Sequence, residues 1–239
     1  MTPDEPPATS TSGDQAAVAP TKPHRGSLPV WQETLLLLGV AVVLAVVIKA
    51  LLVQAFYIPS ESMEPGLVEN DRILVQKWSY WTGSPQRGDV VVFEDPGGWL
   101  GDEAAGPSNG LTDALAKVGL FPSGGHLVKR VIGIEGDTVV CCDAEGRISV
   151  NGEPLDEAEY VKDEAGVDCA GPMTGNCSWT AGPVPAGHVF VMGDNRANSA
   201  DSTVHMCTAE ETDCNKNPYV DDSLIVGKVW VLLWPFDRF

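Results

Sequence analysis

Basic residues are scarce in this 239-residue sequence, which has 15 lysines and arginines against 33 aspartates and glutamates, a net charge of −18. Proteins bind nucleic-acid phosphates mainly through Lys and Arg, so this deficit argues against a nucleic-acid partner. It also gives no electrostatic attraction toward anionic lipid. Any contact with a membrane must therefore be made by apolar residues.

Residues that commonly bind metals are also few and scattered. The four histidines have no catalytic or ligand motif around them: His24, His126, His188 and His205. The six cysteines form neither a CxxC pair nor a Cys/His zinc spacing, so we expect no metal site and no cofactor. Disulfides that close loops, or free thiols, explain the cysteines better than a metal site does. The local pairs that could close short polar loops are Cys169 with Cys177 and Cys207 with Cys214.

One long apolar run, Leu35–Val53, is present, and Lys49 is its only charged residue. About 20 apolar residues cross a bilayer as a helix, and a lysine near the end can reach the interface. Lys22 and Arg25 precede the run, which places the N-terminus in the cytoplasm. We predict a disordered cytoplasmic tail over 1–30, a transmembrane anchor over 31–54 and an extracytoplasmic domain over 55–239.

A cleaved signal peptide is the alternative explanation of the same run. Val53-Gln54-Ala55 offers a small-x-small cleavage pattern. The apolar run is long for such a peptide, however, and two large residues, Phe56 and Tyr57, follow the pattern. These observations favour a retained anchor.

After the anchor, short runs rich in β-branched residues predict a mainly β domain with mostly antiparallel strands. The predicted strands are Arg72–Lys77, Asp89–Phe93, His126–Ile134, Asp137–Cys141, Ile148–Val150, His188–Met192 and Leu224–Trp234. Asn151-Gly152 predicts a two-residue hairpin turn. Three Gly- and Asp-rich insertions lie near 95–125, 156–185 and 204–222, and the first could hold a short helix around Leu111–Val118.

Ser62 lies in a segment that two prolines, Pro59 and Pro65, make stiff. A serine hydroxyl becomes a good nucleophile only when a base takes its proton, and it must be held in a fixed position. In an extended segment Ser60 would point to the same side and could donate a hydrogen bond to a developing oxyanion, beside the Ser62 N–H. The alternative is that Ser60 opens a turn and Ser62 is an exposed polar residue.

Lys129 lies inside an apolar run that is typical of a strand. On such a strand Leu127 and Val131 flank it on its own face, and the opposite face is also largely apolar. A strand covered on both sides would bury the amine, and desolvation lowers an amine pKa toward the neutral form that can act as a base. The alternative is a surface strand on which Lys129 and Arg130 meet solvent.

Four segments, in one order and after one anchor, resemble the sequence boxes of bacterial type I signal peptidases. The first, Pro59–Pro65, resembles a Pro-Ser-x-Ser-Met-x-Pro box. The other three are an Arg-Gly-Asp box at Arg87–Phe93, a lysine box at Lys129–Gly133 with Gly136-Asp137, and a Gly-Asp-Asn-Arg-x-x-Ser-x-Asp-Ser box at Gly193–Ser202. The resemblance covers the anchor and most of Phe56–Trp234, outside the three insertions. It implies a domain with two antiparallel sheets, of the kind found in signal peptidases and self-cleaving repressors.

The resemblance also implies an activity and a role for each matching residue. The chain would be a membrane-anchored serine endopeptidase that removes signal peptides from exported preproteins after a small-x-small (Ala-x-Ala) motif, with preproteins and membrane lipid as partners. Ser62 would be the nucleophile, Lys129 the general base, and Ser60 the oxyanion-hole hydroxyl. The remaining roles would be a lysine-orienting Ser199, a structural brace of Arg130 and Asp194, a supporting Asp201, and pockets lined by Phe56, Ile58, Met63, Leu67 and Val128.

One position departs from the family pattern. The family usually has an arginine after the Asp-Ser pair, where it braces the aspartate that corresponds to Asp201. Here that residue is Thr203. The departure puts this salt bridge in doubt and leaves Ser62 and Lys129 untouched.

Two other functions fit parts of the sequence. A self-cleaving repressor of the same serine–lysine fold group would need a DNA-binding domain and no anchor, but this chain has the anchor and neither a helix-turn-helix pattern nor a basic face. An anchored β domain that binds exported proteins without cutting them would not need the serine and the lysine, yet both are present. A cleavage assay would separate these alternatives.

Overall fold

The computed structural model describes residues 29–100, 125–162, 178–207 and 214–238. It begins with one α-helix, α1, Val30–Leu52. The carbonyl of Pro29 accepts the first turn's N–H groups from Gln32 and Glu33, and the Glu33 carboxylate complements the positive end of the helix dipole. Among the described residues, Val30–Ile48 is the one helical stretch that is long and apolar enough to cross a membrane, by length and composition.

The chain divides into two units within α1, the first ending at Val42 and the second beginning at Val43. The second unit is mainly β, as predicted. Its strands are β1 Val53–Tyr57, β2 Arg72–Gln76, β3 Val90–Glu94, β4 His126–Gly133, β5 Val139–Cys141, β6 Ser149–Val150, β7 Glu153–Pro154, β8 Trp179–Ala181, β9 His188–Met192, β10 Tyr219–Asp221 and β11 Ile225–Trp234. The tail over residues 1–28 lies outside the described residues.

The strands form two antiparallel sheets, which confirms the expected fold class. The larger sheet has seven strands in the order β1-β2-β11-β3-β4-β9-β10. The smaller sheet has four strands in the order β7-β6-β5-β8. Both sheets contribute to one core cluster, in which Phe190 and Met192 of β9 lie with Val139 of β5 and Trp179 of β8. The sheets therefore pack on each other through apolar side chains.

Four strands were not predicted. β7, β8 and β10 have only two or three residues each and lie between polar loops, so they show no hydrophobic period. β1 begins directly after α1, where its residues read as the end of the apolar run and the start of the serine segment. The predicted anchor over 31–54 therefore overlaps the first two residues of β1.

The hairpin predicted at Asn151-Gly152 is confirmed. Ser149 and Val150 of β6 pair with Pro154 and Glu153 of β7, which leaves a two-residue connection. Both connecting residues have positive φ, 55° for Asn151 and 85° for Gly152, as this tight turn requires.

Strand β4 lies at the centre of the packing and carries Lys129. Its Ile132 belongs to the cluster between the sheets, and Leu127 and Val131 belong to a second cluster with Val91 and Phe93. On the opposite face, Val128 packs against a third cluster that includes Phe56, Ile58 and Val75. Apolar side chains therefore cover both faces of this strand, as predicted from the apolar residues around Lys129.

Two disulfides are present in the described residues. Cys207–Cys214 is one of the two predicted local pairs and is confirmed. The adjacent cysteines Cys141 and Cys142 form the other, which was not predicted. The pair Cys169–Cys177 and the short helix predicted around Leu111–Val118 lie outside the described residues.

Candidate active site

The serine segment is a closed loop between β1 and β2. Ile58 and Asp71 fasten its ends, since Ile58 N–H donates to the Asp71 carbonyl at 2.9 Å and Asn70 N–H donates to the Ile58 carbonyl at 2.9 Å. Ser62 lies in a single helical turn, Glu61–Met63, rather than in the extended segment that the sequence suggested. Even so, the hydroxyl oxygens of Ser60 and Ser62 are 3.3 Å apart, within hydrogen-bonding distance.

The Lys129 amine lies against the Ser62 hydroxyl. The Lys129 Nζ to Ser62 Oγ distance is 2.6 Å, across 67 residues of sequence. Lys129 is 4 % exposed and Ser62 is 7 % exposed, so water is largely excluded from this contact. A neutral amine at this distance can accept the serine proton directly.

Burial changes the protonation of Lys129. Desolvation lowers its pKa to about 8, while the negative charges of Asp201 and Asp194 act in the opposite direction and favour the ammonium form. Desolvation outweighs both carboxylates. A substantial fraction of the amine is therefore neutral near physiological pH, which an exposed lysine does not achieve.

An open cavity of about 570 Å³ begins at this pair. Four of the five side chains expected to form substrate pockets line it: Phe56, Ile58, Met63 and Val128. Leu67 instead packs against the cluster around Phe56 and Ile58. Side chains that were not expected to form pockets complete the walls, among them Tyr57, Trp99, Leu100, Leu127, Asn198 and Ala200.

The loop after β9 is hydrogen-bonded to the backbone of the serine segment. Asn195 donates its backbone N–H to the Ser62 carbonyl and its side-chain amide to the Glu61 carbonyl, both at 3.0 Å. These two bonds fix the peptide groups on both sides of Ser62. Asn195 was part of the fourth sequence box, but only the three-dimensional structure shows what it contacts.

Gly193 allows this close approach. A Cβ atom at this position would lie 2.5 Å from the Ser62 carbonyl oxygen and 2.6 Å from the Ser199 Cβ. Both distances are far below van der Waals contact. Any larger residue would push the serine loop and Ser199 apart, and the same geometry places Ser199 next to the Ser62 backbone.

Ser199 and Asp201 form a buried pair in the loop after β9. Ser199 Oγ donates to Asp201 Oδ2 at 2.6 Å, and the same oxygen accepts Gly193 N–H at 2.9 Å. The structure thus gives the Ser199 hydroxyl proton to Asp201. The expected hydrogen bond between Ser199 and the Lys129 amine is not among those the described residues make, so that role stays a prediction.

Comparison with known proteins identifies the family of this chain. Residues 31–234 match the family model described as signal peptidase, peptidase S26. The chain belongs to the signal peptidase family. It is 37 % identical to signal peptidase I of Mycobacterium tuberculosis, covering 98 % of this chain and 83 % of that protein.

More distant relatives give the same result. The chain is 34 % identical to signal peptidase I of Leptolyngbya laminosa, covering 99 % of this chain and 91 % of the relative. It is 29 % identical to signal peptidase I U of Bacillus subtilis, covering 85 % and 89 %. The chain is therefore a peptidase, a hydrolase of the family that removes signal peptides.

The position where this signal peptidase departs from the family pattern is nevertheless braced. Thr203 donates to Asp201 Oδ1 twice, from its backbone N–H at 3.0 Å and from its hydroxyl at 2.7 Å. Together with Ser199 and Gly193, these bonds satisfy both carboxylate oxygens. Thr203 thus supplies neutral hydrogen bonds to the carboxylate that the family usually pairs with an arginine.

Replacing Thr203 with valine is expected to lower the free energy of unfolding by about 2 kcal/mol, because a hydrogen bond to a charged, buried acceptor is lost. Thr203→Ser keeps the hydroxyl and should lose much less stability. Urea-induced unfolding of the detergent-solubilised protein, followed by tryptophan fluorescence, measures both changes. Equal stability of the valine variant and the wild type would contradict the proposed brace.

Arg130, the neighbour of Lys129 on β4, forms a bidentate ion pair with Asp194. Arg130 Nε donates to Asp194 Oδ1 at 2.7 Å and Nη2 donates to Oδ2 at 2.6 Å. The guanidinium also lies 4.0 Å above the ring of Tyr160. Burial nevertheless raises the pKa of Asp194, an effect that Arg130 counteracts. The pair connects β4 to the loop after β9, and its role as a structural brace stays a prediction.

Two further arginines support the loops, and sequence reasoning assigned neither a role. Buried Arg196 donates to both carboxylate oxygens of Glu157 and to the Gly193 carbonyl. Arg238 pairs with fully buried Asp71 at 2.5 Å and donates to the carbonyls of Pro65 and Gly66 at 3.1 Å. The last two bonds hold the far side of the serine loop.

No group of three His, Cys, Asp or Glu side chains within the described ranges is arranged to hold a metal ion. The groups that the site brings together are a hydroxyl, an amine and apolar walls.

Proposed function

We propose that this signal peptidase is a membrane-anchored serine endopeptidase that cuts preproteins after a small-x-small motif, with Ser62 as nucleophile and Lys129 as general base. The observation that supports it most directly is the 2.6 Å contact between the buried Lys129 amine and the Ser62 hydroxyl. A lowered amine pKa makes the same contact productive.

The chemistry follows from that contact. Neutral Lys129 takes the Ser62 proton as Oγ attacks the scissile carbonyl, and the carbonyl oxygen becomes an oxyanion. The Ser60 hydroxyl, 3.3 Å from the nucleophile, and the Ser62 N–H stabilise that oxyanion. The C–N bond then breaks, and the leaving amine receives the proton from the Lys129 ammonium. Neutral Lys129 next deprotonates a water molecule, which hydrolyses the acyl-enzyme and regenerates Ser62.

Ser199 orients the Lys129 amine in this proposal. Its hydroxyl proton is directed to Asp201, so its oxygen is left to accept a hydrogen bond. Gly193 keeps Ser199 close to the Ser62 backbone. An N–H of Lys129 that points at Ser199 would direct the amine lone pair toward the Ser62 hydroxyl.

The substrate binds as an extended strand along the edge of β4. On one side Val128 and Lys129 pair with β3, whereas β9 pairs with β4 only from Arg130 onward in the described part of the chain. The other edge of Leu127–Lys129 faces the cavity and can accept a strand from a peptide. Apolar walls around Phe56, Ile58 and Val128 then limit the residues at the first and third positions before the cut to small side chains.

Apolar contacts attach this enzyme to the membrane in the proposal. The Val30–Ile48 stretch of α1 supplies a span, with the N-terminus cytoplasmic and the catalytic unit outside. The catalytic unit also exposes large aromatic side chains, which suit a lipid interface. These are Trp78, Trp81, Trp230, Trp234 and Phe236. With a net charge of −18, such contacts must replace electrostatic attraction.

A cleavage assay with the purified full chain in detergent tests the proposal. We expect one cut directly after Ala-x-Ala in a synthetic preprotein, identified by the mass and the new N-terminus of the product. A matched substrate with leucine at the first position before the cut should be resistant, because the pocket accepts only small side chains there. Intact Ala-x-Ala substrate beside folded protein would favour the non-cutting binder instead.

A further inference from the structure

A tryptophan outside the four sequence boxes forms part of the cavity wall. Trp99 follows β3 and is fixed by the carboxylate of Asp95, which accepts the N–H groups of Gly97 and Trp99 at 2.9 Å and of Leu100 at 3.3 Å. Its ring packs edge-on against Phe93, with the ring centroids 6.0 Å apart. The backbone and the ring of Trp99 are therefore both held in place.

A histidine also packs against this ring. His205 stacks on Trp99 with the ring centroids 4.3 Å apart and the planes 9° from parallel. Its backbone N–H donates to the Ser202 carbonyl at 3.2 Å, and the disulfide Cys207–Cys214 lies two residues farther along the chain. Trp99 thus packs against both Phe93 and His205. The backbone of His205 in turn is hydrogen-bonded to Ser202, in the loop that carries Ser199.

The cavity extends to both faces of β4. On one face Val128 packs with the cluster of Phe56 and Ile58. On the other face Leu127 shares a cluster with Trp99, and Leu100 packs against that cluster. Because side chains alternate along a strand, a substrate strand on this edge directs successive side chains to opposite faces.

This alternation of side chains indicates which substrate residue faces Trp99. If the first and third residues before the cut face Phe56, Ile58 and Val128, the second and fourth face the other wall. The second lies near Lys129, and the fourth lies about 7 Å farther along, two residues back on the strand and beside Leu127. Trp99, Leu100 and Leu127 present apolar surface at that point.

We propose that Trp99, Leu100 and Leu127 form a subsite for an aliphatic side chain at the fourth position before the cut. This inference rests on the proposed function and adds a specificity determinant to it. The aliphatic side chain gains by leaving water, whereas a carboxylate there would lose hydration without finding a partner among these three side chains.

Four peptides that differ only at the fourth position test the subsite in the wild-type enzyme. They share an Ala-x-Ala motif and carry Leu, Ala, Ser or Asp at that position. We expect kcat/KM to be about tenfold higher for Leu than for Ala, and lowest for Asp.

Leu100→Ala removes part of the wall, and Trp99→Phe shortens it while keeping an aromatic ring in the core. Each variant should reduce the preference for Leu over Ala to about twofold. Leu155→Ala is the matched control, because this partly buried leucine packs in the cluster between the sheets and not at the cavity. The control should keep the wild-type preference.

The outcomes separate this inference from the proposed function. If the wild-type enzyme cuts all four peptides after Ala-x-Ala with equal kcat/KM, the subsite is wrong and the proposed function stands. A preference that persists in both Leu100→Ala and Trp99→Phe also overturns the subsite. If no peptide is cut by folded enzyme, the proposed function fails and the subsite fails with it.

Discussion

Lys129→Met is expected to reduce kcat/KM by at least about 10⁴-fold, because the only base in contact with the Ser62 hydroxyl in the described structure is removed. Ser62→Ala should reduce it to the same level, since each variant leaves the other member of the Ser62–Lys129 pair without its partner. The double variant should be no worse than either single variant, as groups that act together are not additive. Product formation from an Ala-x-Ala peptide measures all three.

The methionine variant should remain folded, which makes its loss of activity informative. In the wild type the folded-state pKa of Lys129, about 8, lies below the unfolded value of 10.5. Below pH 8 the folded state therefore bears the cost of burying an ammonium, roughly 3 kcal/mol, which is relieved as the pH rises from 8 to 10.5. Methionine has similar volume and no charge, so thermal unfolding at pH 7 should occur no lower than in the wild type. Substantial cleavage by a folded Lys129→Met enzyme would refute the proposed mechanism.

The second large effect is the dependence of activity on pH. Only the neutral amine can accept the serine proton, and the pKa of Lys129 is lowered to about 8 by burial. We expect kcat/KM to be constant above this value and to fall about tenfold per pH unit below it, which amounts to about a thousandfold at pH 5. Initial rates with saturating and subsaturating peptide, between pH 5 and 10, give the profile.

A control variant shows which residue causes the loss of activity at acidic pH. His205 also has a pKa lowered by burial, from its ordinary value of 6.5, and therefore titrates at more acidic pH than Lys129. His205→Gln should leave the midpoint near pH 8 unchanged. A flat profile across this range, or a midpoint that moves with His205, would mean that Lys129 is not the base.

The sequence was sufficient for the features that depend on local patterns. Alternating and β-branched runs gave β4 and β9 nearly to the residue, and Asn151-Gly152 gave the hairpin that the positive φ angles confirm. The apolar residues around Lys129 correctly predicted a strand that is covered on both faces. The order of the four boxes correctly predicted the family.

Contacts between distant segments were beyond the reach of those patterns. Nothing near Asn195 or Arg238 in the sequence indicates that both hold the serine loop, because their partners lie 134 and about 170 residues away. One local contact was also missed: the Ser199 hydroxyl donates to Asp201, two residues along, and the sequence boxes did not indicate this bond. From the sequence, Thr203 was expected to leave Asp201 without its salt bridge. Only the structure shows that the Thr203 hydroxyl donates a hydrogen bond to the Asp201 carboxylate.

Strand β1 has a further consequence for the lifetime of the molecule. Ala55 pairs with Leu74 and Val53 pairs with Gln76, so the Val53-Gln54-Ala55 tripeptide is hydrogen-bonded into a sheet edge, with the Gln54 side chain buried. A peptidase can attack such a segment only when it detaches from its neighbour. We therefore expect the rate of autolysis to depend on how often β1 separates from β2. A variant with a weakened β1–β2 pair would be degraded faster even if its catalytic rate were unchanged.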